Sequence, residues 1–90
     1  MNPSGVVRWS VSTPEGTVAH GEAEFLVVPT VGGELGVMVE HAALVALVAD
    51  GELRVTSGGV VKSVPVGPGL VEVRDNTVRL LLSAAPPSQP

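Results

Sequence analysis

Valine governs what this chain can become. Valine-rich segments, each a few residues long, alternate along it with Gly, Pro, Asn and Asp. β-Branched side chains suit pleated backbone, and the frequent Gly and Pro leave no room for a long helix. Residues 7–12 (VRWSVS) alternate apolar and polar with period 2, the signature of a half-buried strand. Thr13-Pro14-Glu15-Gly16 then reads as a turn, because Pro presets one dihedral and Gly accepts the difficult one. Further strands are predicted over residues 17–19, 22–29, 35–38, 53–56, 60–66, 70–73 and 77–82. Asp75-Asn76, between the last two, is a hairpin signal. Residues 42–49 (AALVALVA) suit either a helical turn or a buried strand. Strand is the favoured reading, since Asp50-Gly51 looks like a turn into the next one.

Many short strands separated by turns define an all-β sandwich or barrel. The expected organisation is one β-sandwich over residues 1–83, followed by a proline-rich flexible tail at 84–90 (AAPPSQP).

Composition removes several functions. Cysteine is absent, which excludes disulfides, thiol catalysis and cysteine-based zinc sites. The net charge is −4, and the five Lys and Arg are scattered, so no basic footprint for nucleic acid exists. The start, Met1-Asn2-Pro3-Ser4-Gly5, has neither the charged nor the apolar part of a signal peptide. The run at 42–49 falls far short of the roughly 20 apolar residues that span a bilayer. A mean hydropathy of +0.42 is nevertheless high for so small a domain. Two inner faces cannot hide all of its Val, Leu and Ala, and a leftover apolar patch marks a protein partner.

The stretch VGGELGVMVEHAAL, residues 31–44, concentrates the candidate chemistry. His20, His41, Glu34, Glu40 and Asp75 are the groups available for catalysis. None sits near a serine in a Gly-x-Ser-x-Gly elbow, and a triad needs nucleophile, base and orienter together. Two histidines far apart, with no paired spacing, make a poor metal set, and His20 before Gly21 reads as a solvated turn residue. Gly32-Gly33 and Gly58-Gly59 lead into strands rather than a helix, so neither is a phosphate cradle. Neither a metal nor a cofactor is expected. Lipoyl and biotinyl carriers present a lysine at a hairpin tip, but Lys62 lies inside a strand pattern. Trp9, on an alternating strand, reads as core.

An ordered set of short motifs is more specific. Thr13 to Val18 (TPEGTV), Gly21 to Phe25 (GEAEF), Val28-Pro29-Thr30 and Gly33-Glu34-Leu35-Gly36 come first. His41-Ala42, Gly51 to Val55 (GELRV), the glycines at 67 and 69, and Val71 to Asn76 (VEVRDN) follow. In this order and spacing the chain resembles the epsilon subunit of F-type ATP synthase, called delta in mitochondria, over roughly residues 7–83. The resemblance implies a β-sandwich of about ten strands at the foot of the central stalk, packed on gamma and on the polar loops of the c-ring. It implies a non-catalytic rotor subunit on the cytoplasmic face of a bacterial plasma membrane, touching the membrane only through the c-ring. By the same resemblance Gly33, Glu34, Leu35 and Gly36 face the c-ring, and Thr13, His41 and Ala46 face gamma. His41 is expected as an uncharged rim residue. The other class of function kept open is a free-standing β-sandwich binding or carrier module acting through Lys62.

Two departures stand out. The family usually follows GELG with an aliphatic pair and Pro-Gly-His-Ala-Pro, whereas this chain has Val37 to Ala43 (VMVEHAA). Either Glu40 takes the positive φ of the missing glycine, or the turn changes type. Family members also carry a C-terminal helical hairpin that can inhibit hydrolysis or bind ATP. The sequence ends at Pro90 without one, so neither inhibition nor nucleotide binding is expected of it.

Overall fold

The structure, a computed structural model, describes residues 5–84. It is all-β, with nine strands among the described residues: β1 (Val7–Thr13), β2 (Gly16–Ala23), β3 (Phe25–Thr30), β4 (Gly33–Val37), β5 (Leu44–Val48), β6 (Gly51–Ser57), β7 (Val60–Val66), β8 (Gly69–Arg74) and β9 (Thr77–Leu82). They pair in the order β2-β1-β9-β8-β5-β3-β6-β7, with β4 on the other edge of β3. All pairs are antiparallel except β1 with β9. The sheet folds over on itself into a sandwich whose β2 and β6 approach each other.

Period 2 accounts for most of this. In β1, Val7, Trp9 and Val11 are buried while Arg8, Ser10 and Ser12 point outward. In β9, Val78, Leu80 and Leu82 are buried, and in β8 Val71 and Val73. Together with Leu26, Val28, Leu53 and Val55 they form one core. Within residues 42–49, Leu44 to Val48 form a strand, paired with Val73 to Gly69 of β8, with Leu44 and Ala46 packed on the core. The tail beyond residue 84 lies outside the described residues.

The sequence reading is corrected at one junction. It placed a break at His20-Gly21, with His20 in a turn. β2 instead runs unbroken through both, and His20 is an exposed strand residue. The chain breaks at Glu24, where it leaves β1 and its amide bonds Thr56 O of β6 at 2.8 Å. Gly21 fits a strand because the Trp9 indole covers it: a Cβ there would lie 3.2 Å from Trp9 Nε1. β2 also carries a bulge, since Val11 pairs with Ala19 but Ser12 with Thr17, which leaves Val18 extra and exposed.

Trp9 Nε1 is buried and has no acceptor among the described residues. Removing that N–H removes a desolvation cost, so Trp9→Phe is expected to change stability by less than about 1 kcal/mol. Trp9→Ala, which opens a cavity, should cost about 3–5 kcal/mol. Urea unfolding measures both. A Trp9→Phe loss above about 2 kcal/mol would mean that the indole does have an acceptor.

Strand register gives the sandwich two ends. Thr30 pairs with Val48, Val48 with Gly69 and Gly69 with Leu82, while Leu81 pairs with Ser12. The β1–β2 turn, the β3–β4 turn and the β5–β6 connection therefore share one end. Leu44 pairs with Val73, Arg74 with Thr77, and Thr77 with Arg8. The β4–β5 connection (38–43) and the β8–β9 turn share the other.

Candidate partner interface

The β3–β4 hairpin sets the position of Gly33-Glu34-Leu35-Gly36. Val31 and Gly32 form its two-residue turn, and Gly33 has φ 122°, a value that an L side chain rarely adopts. Thr30 Oγ1 donates to Gly33 O and ties the turn off. Glu34 points outward on β4, and both of its carboxylate oxygens lie 3.1 Å from Arg54 Nη2. Leu35 turns the other way and packs against the core. Gly36 lies under the Phe25 ring, where a Cβ would sit 3.2 Å from two ring carbons. Its lack of a side chain lets Phe25 lie flat, while the Glu34 charge is already shared with Arg54 by an exposed ion pair worth under about 1 kcal/mol.

The three residues expected to face gamma do not cluster. Thr13 is buried, and its Oγ1 accepts the Glu15 amide at 3.2 Å, closing its own turn. His41 is half-buried, with Nδ1 2.7 Å from Ala42 O and its amide 3.3 Å from Met38 O. Thr13 and His41 stand at opposite ends of the β1-β9-β8-β5 layer. Ala46, between them, turns inward with Val71.

Glu40 takes the first of the two alternatives for its turn, with φ 64°. Left-handed backbone at a residue with a Cβ costs about 1 kcal/mol. Asp75 and Asn76, at φ 52° and 58°, form the two-residue hairpin turn that their sequence suggested.

Parity points to residues that the sequence left unassigned. Because Leu44, Ala46 and Val48 face the core, Val45 and Leu47 face out, 65% and 58% exposed. Leu47 pairs with Leu70, and Leu70 with Leu81, so the three leucines form one outward row across β5, β8 and β9. Leu70 and Leu81 are 43% and 42% exposed. Val31 joins the row at its end, its amide bonded to Leu47 O at 2.9 Å and its side chain exposed. Val45 lies in the next row beside Glu72, which is 3.7 Å from Arg79. Part of the leftover apolar surface implied by the composition is thus one contiguous patch, while Val18, Met38, Val60 and Val61 stand exposed elsewhere. The signal that could have located it was the alternation within residues 44–48, once their inward face was known.

Lys62 is exposed on β7, away from the Gly58-Gly59 turn, and it shares a face with buried Val55. Among the described residues β7 has one neighbour, β6, so this solvent-exposed lysine puts a charge on an edge strand, a device that blocks edge-to-edge aggregation. Among the described residues no three His, Asp or Glu side chains gather as metal ligands.

A family model for the beta-sandwich domain of the ATP synthase Delta/Epsilon chain matches residues 6–88. This chain belongs to that family. It is 38% identical over 86 residues to the ATP synthase epsilon chain of Desulfitobacterium hafniense (strain DSM 10664 / DCB-2), covering 96% of this chain and 65% of that protein. It is 44% identical over 79 residues to the ATP synthase epsilon chain of Shouchella clausii, covering 88% of this chain and 59% of that protein. The chain thus spans about two-thirds or less of the length of these epsilon relatives. Its fold matches a chain in the Euglena gracilis mitochondrial ATP synthase (OSCP/F1/c-ring) with a TM-score of 0.79 and 22% identity, over 91% of this chain and 54% of that one. A chain in the central stalk and c-ring structure of the Tetrahymena thermophila mitochondrial ATP synthase matches with a TM-score of 0.66 and 20% identity, over 86% of this chain and 63% of that one. The observed sandwich is therefore the Delta/Epsilon fold, with nine strands among the described residues where about ten were expected.

Proposed function

We propose that this chain is a non-catalytic rotor subunit of an ion-translocating F-type ATP synthase. It joins gamma to the c-ring and sits on the cytoplasmic face of a bacterial plasma membrane. The observation that carries the reading is the outward row Leu47, Leu70 and Leu81, with Val31 and Val45 beside it. A small domain that leaves such a patch in water is built to cover it with a partner. Buried Thr13 and half-buried His41 mark the two ends of the layer that carries the row, so one elongated partner lying along it would span from the β1–β2 turn to the β4–β5 connection. Gamma is that partner. Ala46 supports the contact from beneath, and Val45 and Leu47 make it.

The β3–β4 hairpin is the c-ring contact. Glu34 and the backbone of Gly33 and Gly36 stand exposed on a strand that has only β3 beside it, and Leu35 anchors that strand to the core. Charge at such a rim acts mainly on association rate and salt sensitivity. Glu34→Lys sets a second cation beside Arg54, yet the isolated domain should stay folded, since the pair it breaks is exposed. ATP-driven ion pumping by reconstituted enzyme is expected to fall in the order wild type, Glu34→Gln, Glu34→Lys, most clearly at low salt. If the lysine variant pumps as well as wild type at low ionic strength, Glu34 is not a c-ring contact. Recovery of the chain as a monomer modified on Lys62, without other ATP synthase subunits, would overturn the rotor reading in favour of a carrier module.

A further inference from the structure

Asn76, in the β8–β9 turn, is joined to two other segments of the sandwich at once. Its carbonyl accepts the Arg8 amide of β1 at 3.0 Å. Its Oδ1 accepts the Glu40 amide at 2.6 Å, and its Nδ2 donates to Glu40 Oε2 at 3.1 Å. The two residues are 36 apart in sequence, and both hold left-handed backbone. Asn tolerates that conformation because its short side chain bonds locally, whereas Glu40 does so only if something holds it there. The lock closes the β4–β5 connection onto the β8–β9 turn. Beside it, on the outer face that carries the leucine row, lies an open groove of about 460 Å³ lined by Ala43, Val45, Glu72, Arg74 and Asp75, among others. Ala43 and Asp75 come from the two segments that the lock joins.

We propose that Asn76 is a positioning residue for the partner surface: its side-chain carbonyl pins the Glu40 amide and so fixes the wall of the groove that gamma enters. This rests on the rotor reading given above. Glycine reaches a positive φ unaided. Glu40 is held in it by a side chain from the neighbouring hairpin, and the groove wall is held with it.

Glycine substitutions test this without adding strain, because glycine adopts the φ of either position freely. In the wild-type chain the Glu40 amide should exchange with deuterium at least about tenfold slower than an unstructured amide; full-speed exchange overturns the proposal before any variant is made. Asn76→Gly should raise that rate about tenfold and weaken binding to the gamma subunit of the same enzyme by about fivefold, with the thermal midpoint little changed. Glu40→Gly keeps the backbone amide that Asn76 Oδ1 grips. It should stay within about threefold of wild type in exchange and about twofold in binding. Equal damage from the two variants would assign the holding role to the carboxylate and overturn the role given to Asn76. If Asn76→Gly binds gamma as tightly as wild type, the lock does not shape the interface, while the rotor reading survives. A wild-type chain that does not bind gamma refutes the rotor reading, and with it the role of the lock.

Discussion

Replacing Gly69 by alanine is expected to lower the thermal midpoint by roughly 10 °C or more. Gly69 opens β8, between Val48 of β5 and Leu82 of β9. A Cβ built there would overlap Leu81 O and lie 2.7 Å from Leu82 Cα and 3.0 Å from Leu81 C. All three are backbone atoms, so no rotamer change relieves the clash. Only separating β8 from β9 does, and those strands carry Val71, Val73, Val78, Leu80 and Leu82 of the core. Overpacking against side chains typically costs about 1–3 kcal/mol, and against fixed backbone the upper end or more is expected. In a domain of this size each kcal/mol is about 4–8 °C. Gly67→Ala is the control. Its Cβ would meet Asp50 Oδ1 at 3.5 Å, an ordinary contact, and should leave the midpoint nearly unchanged. A Gly69→Ala domain that melts with wild type would show that the β8–β9 pairing is looser than described.

The second large effect falls on assembly. Leu70 sits in the middle of the outward row, between Leu47 and Leu81. Leu70→Asp places a carboxylate where the rotor reading puts the centre of the gamma contact. Such central anchors contribute about 2 kcal/mol or more, so affinity for gamma should fall roughly 30-fold. The isolated domain should lose little stability, because Leu70 is already 43% exposed. Val61→Asp on β7 is the matched control: it is 60% exposed but lies outside the row, and should bind gamma normally. Surface titration of the three proteins against gamma separates the outcomes. Equal binding by all three removes the leucine row from the interface. Equal loss in both variants means that added negative charge alone impairs binding, wherever it is placed.

Local chemistry made much of the architecture legible. Alternation in β1 marked Val7, Trp9 and Val11 as one inward face, and all three are buried. Thr13 to Gly16, Asp75-Asn76 and Gly58-Gly59 announced turns through residues that reach unusual dihedrals, and each is a turn. The ordered motifs identified the family, because spacing between turns survives where side chains drift. A reading of neighbours along the chain failed at His20-Gly21. There a glycine looked like an interruption, but a tryptophan from the next strand fills its space.

Residues 44–48 could be seen to have two faces, yet the inward one was settled only by pairing with β8, which turned Ala46 in and left Val45 and Leu47 out. Thr13 and His41 looked like parts of one contact surface, and register put them at opposite ends of a layer. Nothing near Glu34 in sequence pointed to its ion-pair partner, Arg54, 20 residues away. Glu40 could be placed in a left-handed turn or an altered one, and Asn76, 36 residues on, decided it. Period, propensity and turn preference act over a few residues, so the sequence by itself determined strands, turns and fold class. Which face is buried, and which charges meet, depends on strands far apart in the chain, so the interface was decided only by the tertiary structure.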